Sequence, residues 1–452
     1  MPQPDRDTLD TSPESAEPAQ ELLCDQAELE RLCARWRAAG SFAFDTEFIR
    51  DDTYEARLCL VQAVGGGAGE KPVLIDPMAP TIDLKPFWDL VTDPQIVTIV
   101  HAGKEDFEVC LRASGKPPRN VFDVQIAAGF AGYGYPLSLT RLVEVLRRKR
   151  LRKGQTLTDW SIRPLTDEQI RYAIDDVAHL PSMYGKLSRE LERRKRTAWA
   201  MEEFLRFESS EHYVPPVADR VQKLRGSKSL DGLGMLTLER LLKWRDAWAQ
   251  EKNRPVRALI RDDILVELAR RRPRHARELA VLRGFPQARN AKVTQALVDV
   301  IEECRATPKE KWPQPVEARE ETAMMRSTID LLSAVSRAVC FEQELSHDLL
   351  GGASRLRELI EYELGGVDTV PPLLRGWRLE FLGERLLDLL RGRCQLHFTG
   401  WPKSPRLDVV LRDIGPHDST ANGAEKPAAE AVPAAAVPDE KPEKAKRKKR
   451  GD

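Results

Sequence analysis

Long apolar runs, paired cysteines and a secretory leader are all missing from this sequence of 452 residues. No stretch approaches the roughly 18–20 apolar residues that cross a bilayer, which excludes a membrane-spanning helix. The seven cysteines lie far apart and form no CxxC pair, so neither a zinc site nor a disulfide framework is indicated. The N-terminus is acidic and lacks the apolar core of a signal peptide, so we expect the protein to reside in the cytoplasm.

Net charge is also absent, because 71 lysines and arginines balance 71 aspartates and glutamates. The charges are unevenly distributed along the chain. Residues 1–33 carry nine acids and two bases, whereas residues 220–292 carry nineteen lysines and arginines and eight acids. A local positive excess of this size suits contact with an anionic polymer. A solvated helical surface without any partner explains the same composition equally well.

The order of strand-like and helix-like patterns predicts three folded parts. The first part contains four β-rich runs: SFAFDTEFI, ARLCLVQAV, PVLIDP and QIVTIVH. Helical patterns follow them, and the last helical pattern predicts one long helix from Thr166 to about Phe207. This order predicts an α/β domain with a mixed central sheet. The rest of the folded chain is predicted to be all-α, because no later strand pattern is convincing. The predicted segments are a disordered N-terminus (1–20), the α/β domain (21–212), two helical domains (217–306 and 324–412) and a disordered tail with a basic tip (413–452).

The stretch FAFDTEF places two acids inside an aromatic strand. Side chains alternate between the faces of a strand, so Phe42, Phe44 and Phe48 share one face, and Asp45 and Glu47 share the other. Two ionised carboxylates on neighbouring positions repel each other unless a cation or a proton lies between them. A divalent metal site is one interpretation, and a half-exposed edge strand with solvated acids is the other.

Two further acids occur in helical contexts. Asp106 lies in the first turn of a helix that follows the strand QIVTIVH, a position where the helix dipole favours any acid. Tyr172 and Asp176 are four residues apart and therefore lie on one helix face. Thr166 and Gln169 form a capping-box pattern that predicts the start of this helix. Each pattern taken alone is common in unrelated proteins.

Taken together, the acids and the tyrosine follow the order strand, helix start, helix, which resembles the DEDD exonucleases of the subclass with a tyrosine. The blocks HAGKEDFEV, FDVQIAA and TDWSIRPLTDEQIRYAIDDV are similar to the corresponding blocks of the ribonuclease D family. The resemblance covers about residues 40–210. It implies a ribonuclease H-like exonuclease domain with a mixed sheet.

The resemblance also implies a mechanism with two divalent ions, Mg²⁺ or Mn²⁺, held by carboxylates. Asp45 would contact both ions, Glu47 and Asp176 would hold the ion that activates water, and Asp106 would support the other. Tyr172 would orient the attacking water or act as a base. The product would be a 5′-mononucleotide, released stepwise from the 3′ end.

Residues 217–306 resemble the HRDC domain, in the stretch LERLLKWRDAWAQEKNRPVRALIRDDILVELARRRP, and residues 324–412 resemble a second such domain more weakly. The resemblance implies phosphate contacts by Arg254, Arg257 and Arg261, although arginines on a solvated surface give the same pattern. We expect Trp244 and Trp248 to pack inward or against each other. Two helical domains beside a catalytic one would restrict entry to single-stranded 3′ ends.

The sequence therefore favours a metal-dependent 3′–5′ exoribonuclease that acts on transfer RNA precursors or other small RNAs, as a monomer and without a membrane. A helicase-related DNA exonuclease stays open, because recognition of the 2′-hydroxyl is not visible in the sequence. A non-catalytic scaffold that binds nucleic acid also stays open. The presence of all five motif residues argues against such a scaffold.

Overall fold

The computed structural model describes residues 21–50, 53–67, 69–149, 159–279, 282, 284–285, 290–314, 322–366, 369–400 and 406–411. The predicted disordered segments 1–20 and 413–452 lie outside these residues. Among the described residues, no helix is both long and apolar enough to cross a bilayer.

The first folded part of the chain is built around a five-stranded mixed sheet, as predicted. The strand order is β3-β2-β1-β4-β5. β1 pairs antiparallel with β2 and parallel with β4, so the central strand joins an antiparallel half to a parallel half. The strands are β1 (Ser41–Ile49), β2 (Arg57–Gly65), β3 (Val73–Ile75), β4 (Val97–Val100) and β5 (Val121–Asp123).

Eight helices cover the two faces of this sheet in the described residues. They are α1 (Gln26–Ala39), α2 (Lys85–Val91), α3 (Lys104–Ser114), α4 (Val124–Phe130), α5 (Leu139–Arg147), α6 (Asp167–Ala178), α7 (Leu180–Arg193) and α8 (Thr197–Leu205). The prediction of a single helix from Thr166 to Phe207 is wrong. Pro181 lacks the N–H group that a helix interior requires and lies in the first turn of α7, and Lys195 adopts a positive φ of 57° between α7 and α8.

The aromatic face of β1 is packed as the alternation predicts. Phe42 and Phe44 are fully buried, and their rings contact the ring of Phe87 edge to face. Phe48 is partly buried against the same core. A β-bulge between Glu47 and Phe48 shifts the pairing with β2. Bulges of this kind re-aim the neighbouring side chains, and this one lies beside the two acids of the strand.

The first helical part after the sheet has a core of its own. Trp244 and Trp248 lie against each other, with ring centroids 5.1 Å apart, as expected. The backbone N–H of Tyr54, in the connection between β1 and β2, donates to Asn253 Oδ1 at 3.1 Å. The helices are α9 (Val217–Lys223), α10 (Gly232–Lys252), α11 (Val256–Leu259), α12 (Asp262–Arg271), α13 (Ala276–Leu279) and α14 (Ala291–Arg305).

The second helical part shares a continuous core with the part that contains the five-stranded sheet. Leu332, Leu359 and Leu382 belong to the same buried cluster as Ile99 of the sheet. Glu203, in α8, is buried and accepts hydrogen bonds from Trp377 Nε1 and from Arg378. The elements are α15 (Ala323–Glu342), α16 (Gly352–Glu363), α17 (Gly376–Arg378), a π-helical turn (Leu379–Gly383), α18 (Glu384–Leu390), β6 (Cys394–Thr399) and β7 (Arg406–Leu411).

The strands β6 and β7 correct the prediction that no strand follows the α/β domain. They pair with each other in a separate two-stranded sheet. Leu396, Leu407 and Val409, at alternating positions of these strands, are partly buried against the core of the second helical part. The mixed α/β sheet followed by mainly helical parts is confirmed, whereas the domain boundaries drawn from the sequence stay predictions.

Candidate active site

Strand β1 presents Asp45 and Glu47 on the face that α6 covers. α6 packs on β1, β2 and β3. Its start is fixed by the predicted capping box, in which the Thr166 side chain accepts from the Gln169 backbone and Gln169 Oε1 accepts from the Thr166 backbone N–H. One turn apart on the covering face of α6 lie Tyr172 and Asp176. The helix therefore carries a third acid to the two acids of the strand.

Carboxylate oxygens of Asp45, Glu47 and Asp176 all lie within 4.8 Å of one another. These residues are separated by up to 131 positions in the sequence, and they meet because α6 crosses the strand that carries the first two. Asp106 lies in the first turn of α3 and is 6% exposed. It is outside the group of three, and it is held at the edge of the site by a hydrogen bond from Thr46 Oγ1. Asp45, Glu47, Asp106 and Asp176 together form the acidic cluster.

Burial raises the pKa of every carboxyl group in the acidic cluster, and the charges of neighbouring acids add to this effect. Burial, followed by the charges of the other three acids, raises the pKa of Asp45 well above its usual range. Burial and the charges of Asp176 and Asp106 raise the pKa of Glu47 to about 8. Chiefly through burial, the pKa of Asp176 rises to about 7 and that of Asp106 to about 6. Four negative charges are therefore not stable together here without bound cations or protons.

The chemistry of the donor set fits divalent cations with hard, oxygen-preferring character. All the ligand atoms offered by the cluster are carboxylate oxygens, which suit Mg²⁺ and Mn²⁺. A cation with ligands at about 2.0–2.6 Å accommodates oxygens that are up to about 5 Å apart, which is the spacing found for the group of three. The fit supports a metal site, while the identity of the ion is not fixed by it.

Tyr172 faces the cluster with its hydroxyl protonated. Its hydroxyl donates a hydrogen bond to the Asp176 carboxylate. Burial and the charges of Asp176, Glu47 and Asp45 raise the pKa of the phenol well above its ordinary value. A phenol that holds its proton this firmly is suited to orient a water molecule and is a poor general base at neutral pH.

A buried amide beside Asp45 was not anticipated from the sequence. Gln62, on β2, is directly opposite Asp45 in the antiparallel register and is fully buried. Its Nε2 donates to Asp45 Oδ2 at 2.9 Å. The signal available in the sequence was a polar residue inside the apolar run LCLVQAV. Its partner depends on the strand register, which the sequence alone does not give.

Arg163, before α6, is the second residue that sequence reasoning missed. Its guanidinium donates to both carboxylate oxygens of Asp76, at 2.8 and 2.9 Å. The remaining donors bind the backbone oxygens of Cys59, Trp160 and Ile162, so all five N–H groups are used. Trp160 in turn lies against Tyr172, with ring centroids 6.0 Å apart. These hydrogen bonds of Arg163, the Arg163 clamp, fix the segment that leads into α6. Through Trp160 they also help to position Tyr172.

Two residues near the site take structural roles. The Asp123 side chain accepts from the backbone N–H groups of Gln125 and Ile126 and caps α4. His101 Nε2 hydrogen-bonds the backbone oxygen of Leu137 at 2.9 Å. Neither side chain belongs to the group of three oxygens.

The arginines expected to contact nucleic acid lie between α10 and α12: Arg254 in the turn after α10, Arg257 in α11 and Arg261 just before α12. All three are exposed. Arg261 forms an ion pair with Asp263 at 2.5 Å, which reduces its capacity for phosphate. Arg254 and Arg257 make no ion pair with another described residue. Arg254 follows Asn253, which contacts the connection after β1, so this turn adjoins the strand that carries the site.

Comparisons with known proteins agree on one family. A family model described as 3′-5′ exonuclease matches residues 21–192, and the HRDC domain model matches residues 237–301. The chain is similar to ribonuclease D of Jannaschia sp., with 32% identity over 82% of this chain and 96% of that relative. It is also similar to ribonuclease D of Zymomonas mobilis, with 33% identity over 82% of this chain and 94% of that relative.

A solved structure matches over a comparable length. The crystal structure of Escherichia coli RNase D, described as an exoribonuclease involved in structured RNA processing, superposes with a TM-score of 0.72. The identity is 28%, and the match covers 82% of this chain and 99% of that one. The similarity therefore includes both the exonuclease sheet and most of the helical region.

Proposed function

Because the chain belongs to the ribonuclease D family, we propose that it is a 3′–5′ exoribonuclease whose active site is the acidic cluster together with Tyr172. The observation that carries the proposal is the meeting of Asp45, Glu47 and Asp176 oxygens within 4.8 Å. Such a cluster has no structural use that would offset the cost of burying its charges. Binding of cations at the site of a phosphodiester hydrolysis offsets that cost.

Two divalent ions, Mg²⁺ or Mn²⁺, would supply the activation of water and the neutralisation of charge on the leaving oxygen. The chain's own residues would hold the ions and orient the reactants. Asp45, Glu47 and Asp176 would provide the shared oxygen ligands. Asp106, at the edge of the site, would add negative charge there and support the second ion.

In the proposed reaction, a water oxygen forms a bond to the last phosphorus of the RNA, and the bond from this phosphorus to the 3′ oxygen breaks. The attacking water gives up a proton to solvent, and the leaving oxygen takes up a proton from solvent and becomes the new 3′-hydroxyl. The product is a 5′-mononucleotide. Tyr172 orients the attacking water through its hydroxyl, which stays protonated while it is hydrogen-bonded to Asp176.

The substrate we propose is RNA with a free, single-stranded 3′ end, such as a transfer RNA precursor, cleaved by a monomer in the cytoplasm. The description of the E. coli structure, which mentions structured RNA processing, supports this class of substrate. Residues 217–306 and 324–412 would act as an HRDC domain and an HRDC-like domain that restrict access to the site. Arg254 and Arg257 would contact phosphates, with a smaller contribution from the paired Arg261.

The proposal is tested with end-labelled oligonucleotides of RNA and DNA, single-stranded and duplex, in Mg²⁺, Mn²⁺ or EDTA. We expect stepwise shortening of single-stranded RNA from the 3′ end, and no cleavage in EDTA. Asp45→Asn and Asp176→Asn should abolish cleavage, whereas Glu192→Gln, exposed on α7, should retain it. Binding without shortening in any metal, or equal shortening of DNA, would contradict the proposed activity.

The role of the arginines is best tested by substitution in the full chain, because deletion of 324–412 would expose the core it shares with the catalytic sheet. The double variant Arg254→Ala, Arg257→Ala should bind RNA more weakly, and the slope of log affinity against log salt should fall by about 0.7 for each phosphate that the variant no longer neutralises. Arg271→Ala is the matched control, because Arg271 is exposed but paired with Glu267. An unchanged slope in the double variant would rule out these phosphate contacts.

A further inference from the structure

Gln62 is a neutral side chain on β2 that hydrogen-bonds the Asp45 carboxylate of the acidic cluster from inside the sheet. It is fully buried, which fixes its rotamer between the sheet and α6. Its Nε2 donates to Asp45 Oδ2 at 2.9 Å. An ionised Asp45 that binds cations only accepts hydrogen bonds, so the amide presents its nitrogen to Asp45 in that state.

The other end of this amide shows why its presence needs an explanation. Gln62 Oε1 is buried and accepts no hydrogen bond from any described residue. An unsatisfied buried oxygen costs about 1–3 kcal/mol, a cost that an apolar side chain of the same length would avoid. The unsatisfied oxygen of Gln62 therefore lowers the stability of the protein. Only the hydrogen bond from its nitrogen to Asp45 offsets part of this cost.

We propose that Gln62 is a positioning residue for the metal site, which holds the Asp45 carboxylate in the orientation that binds cations. This inference rests on the proposed function of the cluster. A neutral donor suits the task, because it fixes one oxygen of Asp45 without supplying a positive charge that would compete with the ions. Hydrogen-bond partners of metal-binding carboxylates commonly change metal affinity or activity by about 10–100-fold when they are removed.

The experiment measures Mn²⁺ binding by isothermal titration calorimetry on the full chain, together with kcat and KM on single-stranded RNA. The variants are Gln62→Met, which keeps the volume and removes the donor, and Gln62→Asn, which keeps the amide but is too short to reach Asp45. The control is Gln125→Met, which removes a similar Nε2 hydrogen bond, to Leu137 O at 2.9 Å, outside the cluster.

We expect Mn²⁺ affinity to fall about 10-fold or more in Gln62→Met, with a lower kcat and a KM for RNA within about twofold of the wild type. If Gln62→Met does not fold, Gln62→Asn is read in the same way. An affinity loss no larger than that of Gln125→Met overturns the inference. A wild-type protein that neither binds Mn²⁺ nor shortens RNA overturns the proposed function itself, so the two failures are distinguished.

Discussion

Replacing Glu47 by glutamine should make the metal-free protein more stable and inactive at the same time. The pKa of Glu47 is raised from 4.5 to about 8, by burial and then by the charges of Asp176 and Asp106. A carboxyl group with a raised pKa stabilises the fold only while it is protonated. That contribution is complete below about pH 4.5 and is lost as the pH rises towards 8. The glutamine side chain carries no charge at any pH, so the variant avoids the loss.

The magnitude follows from the size of the shift. Each pKa unit corresponds to about 1.4 kcal/mol, so the full shift is worth at most about 5 kcal/mol. Glu47 is partly exposed, and water weakens the repulsion. We therefore expect about half of this value, or about 2–3 kcal/mol at pH 8, and a difference near zero at pH 4.5. The melting temperature should differ by about 5–10 °C at pH 8.

Differential scanning calorimetry in EDTA between pH 4.5 and 8.5 measures this difference, with Glu192→Gln as the exposed control. Addition of Mg²⁺ should raise the melting temperature of the wild type more than that of Glu47→Gln, because cations bind the intact cluster more tightly. A stability difference that does not change with pH would refute the reasoning. A variant that is less stable than the wild type at pH 8 would refute it as well.

Three other substitutions test separate parts of the site and its support. Tyr172→Phe should lower kcat about 10–100-fold, through loss of water orientation, while Mn²⁺ affinity stays within about twofold; a large loss of metal affinity would contradict the orienting role. Arg163→Lys keeps the charge but cannot donate to all five acceptors. It should therefore lower the free energy of unfolding by about 1–3 kcal/mol, measured by thermal unfolding, and lower kcat. An unchanged kcat would mean that the Arg163 clamp does not position Tyr172. In the wild type, burial raises the pKa of Glu203, but the bonds to Arg378 and Trp377 outweigh this effect and lower the pKa. Glu203→Gln weakens these buried bonds. Its destabilisation should be present at pH 7 and shrink as the pH falls below about 4.5, and a loss that grows towards low pH would contradict this sign.

The attachment of the second helical part affects how truncations of this protein are read. Its leucines lie in the same buried cluster as Ile99 of the sheet, and the charge of Glu203 is neutralised by Arg378 from that part. Removing one partner of a buried ion pair leaves the other uncompensated. Loss of activity after such a truncation would therefore report unfolding as readily as loss of RNA binding.

The sequence by itself determined the local features of the site. Alternation along β1 assigns Asp45 and Glu47 to one face, the capping box fixes the start of α6, and the spacing of four puts Tyr172 and Asp176 together. These features depend only on the geometry of a single strand or helix, so they are visible without the fold. The family resemblance came from the same short motifs.

Only the tertiary structure decided which distant groups meet. The Asp45–Gln62 pair depends on the register of β1 against β2, and a shift of one residue would turn Gln62 to the other face. Arg163 and Asp76 are 87 residues apart and meet because the segment before α6 crosses β3. The breaks between α6, α7 and α8, and the core shared with the second helical part, likewise follow from packing across the whole chain. Local periodicity carries no information about such contacts, because they depend on how separate elements lie against each other.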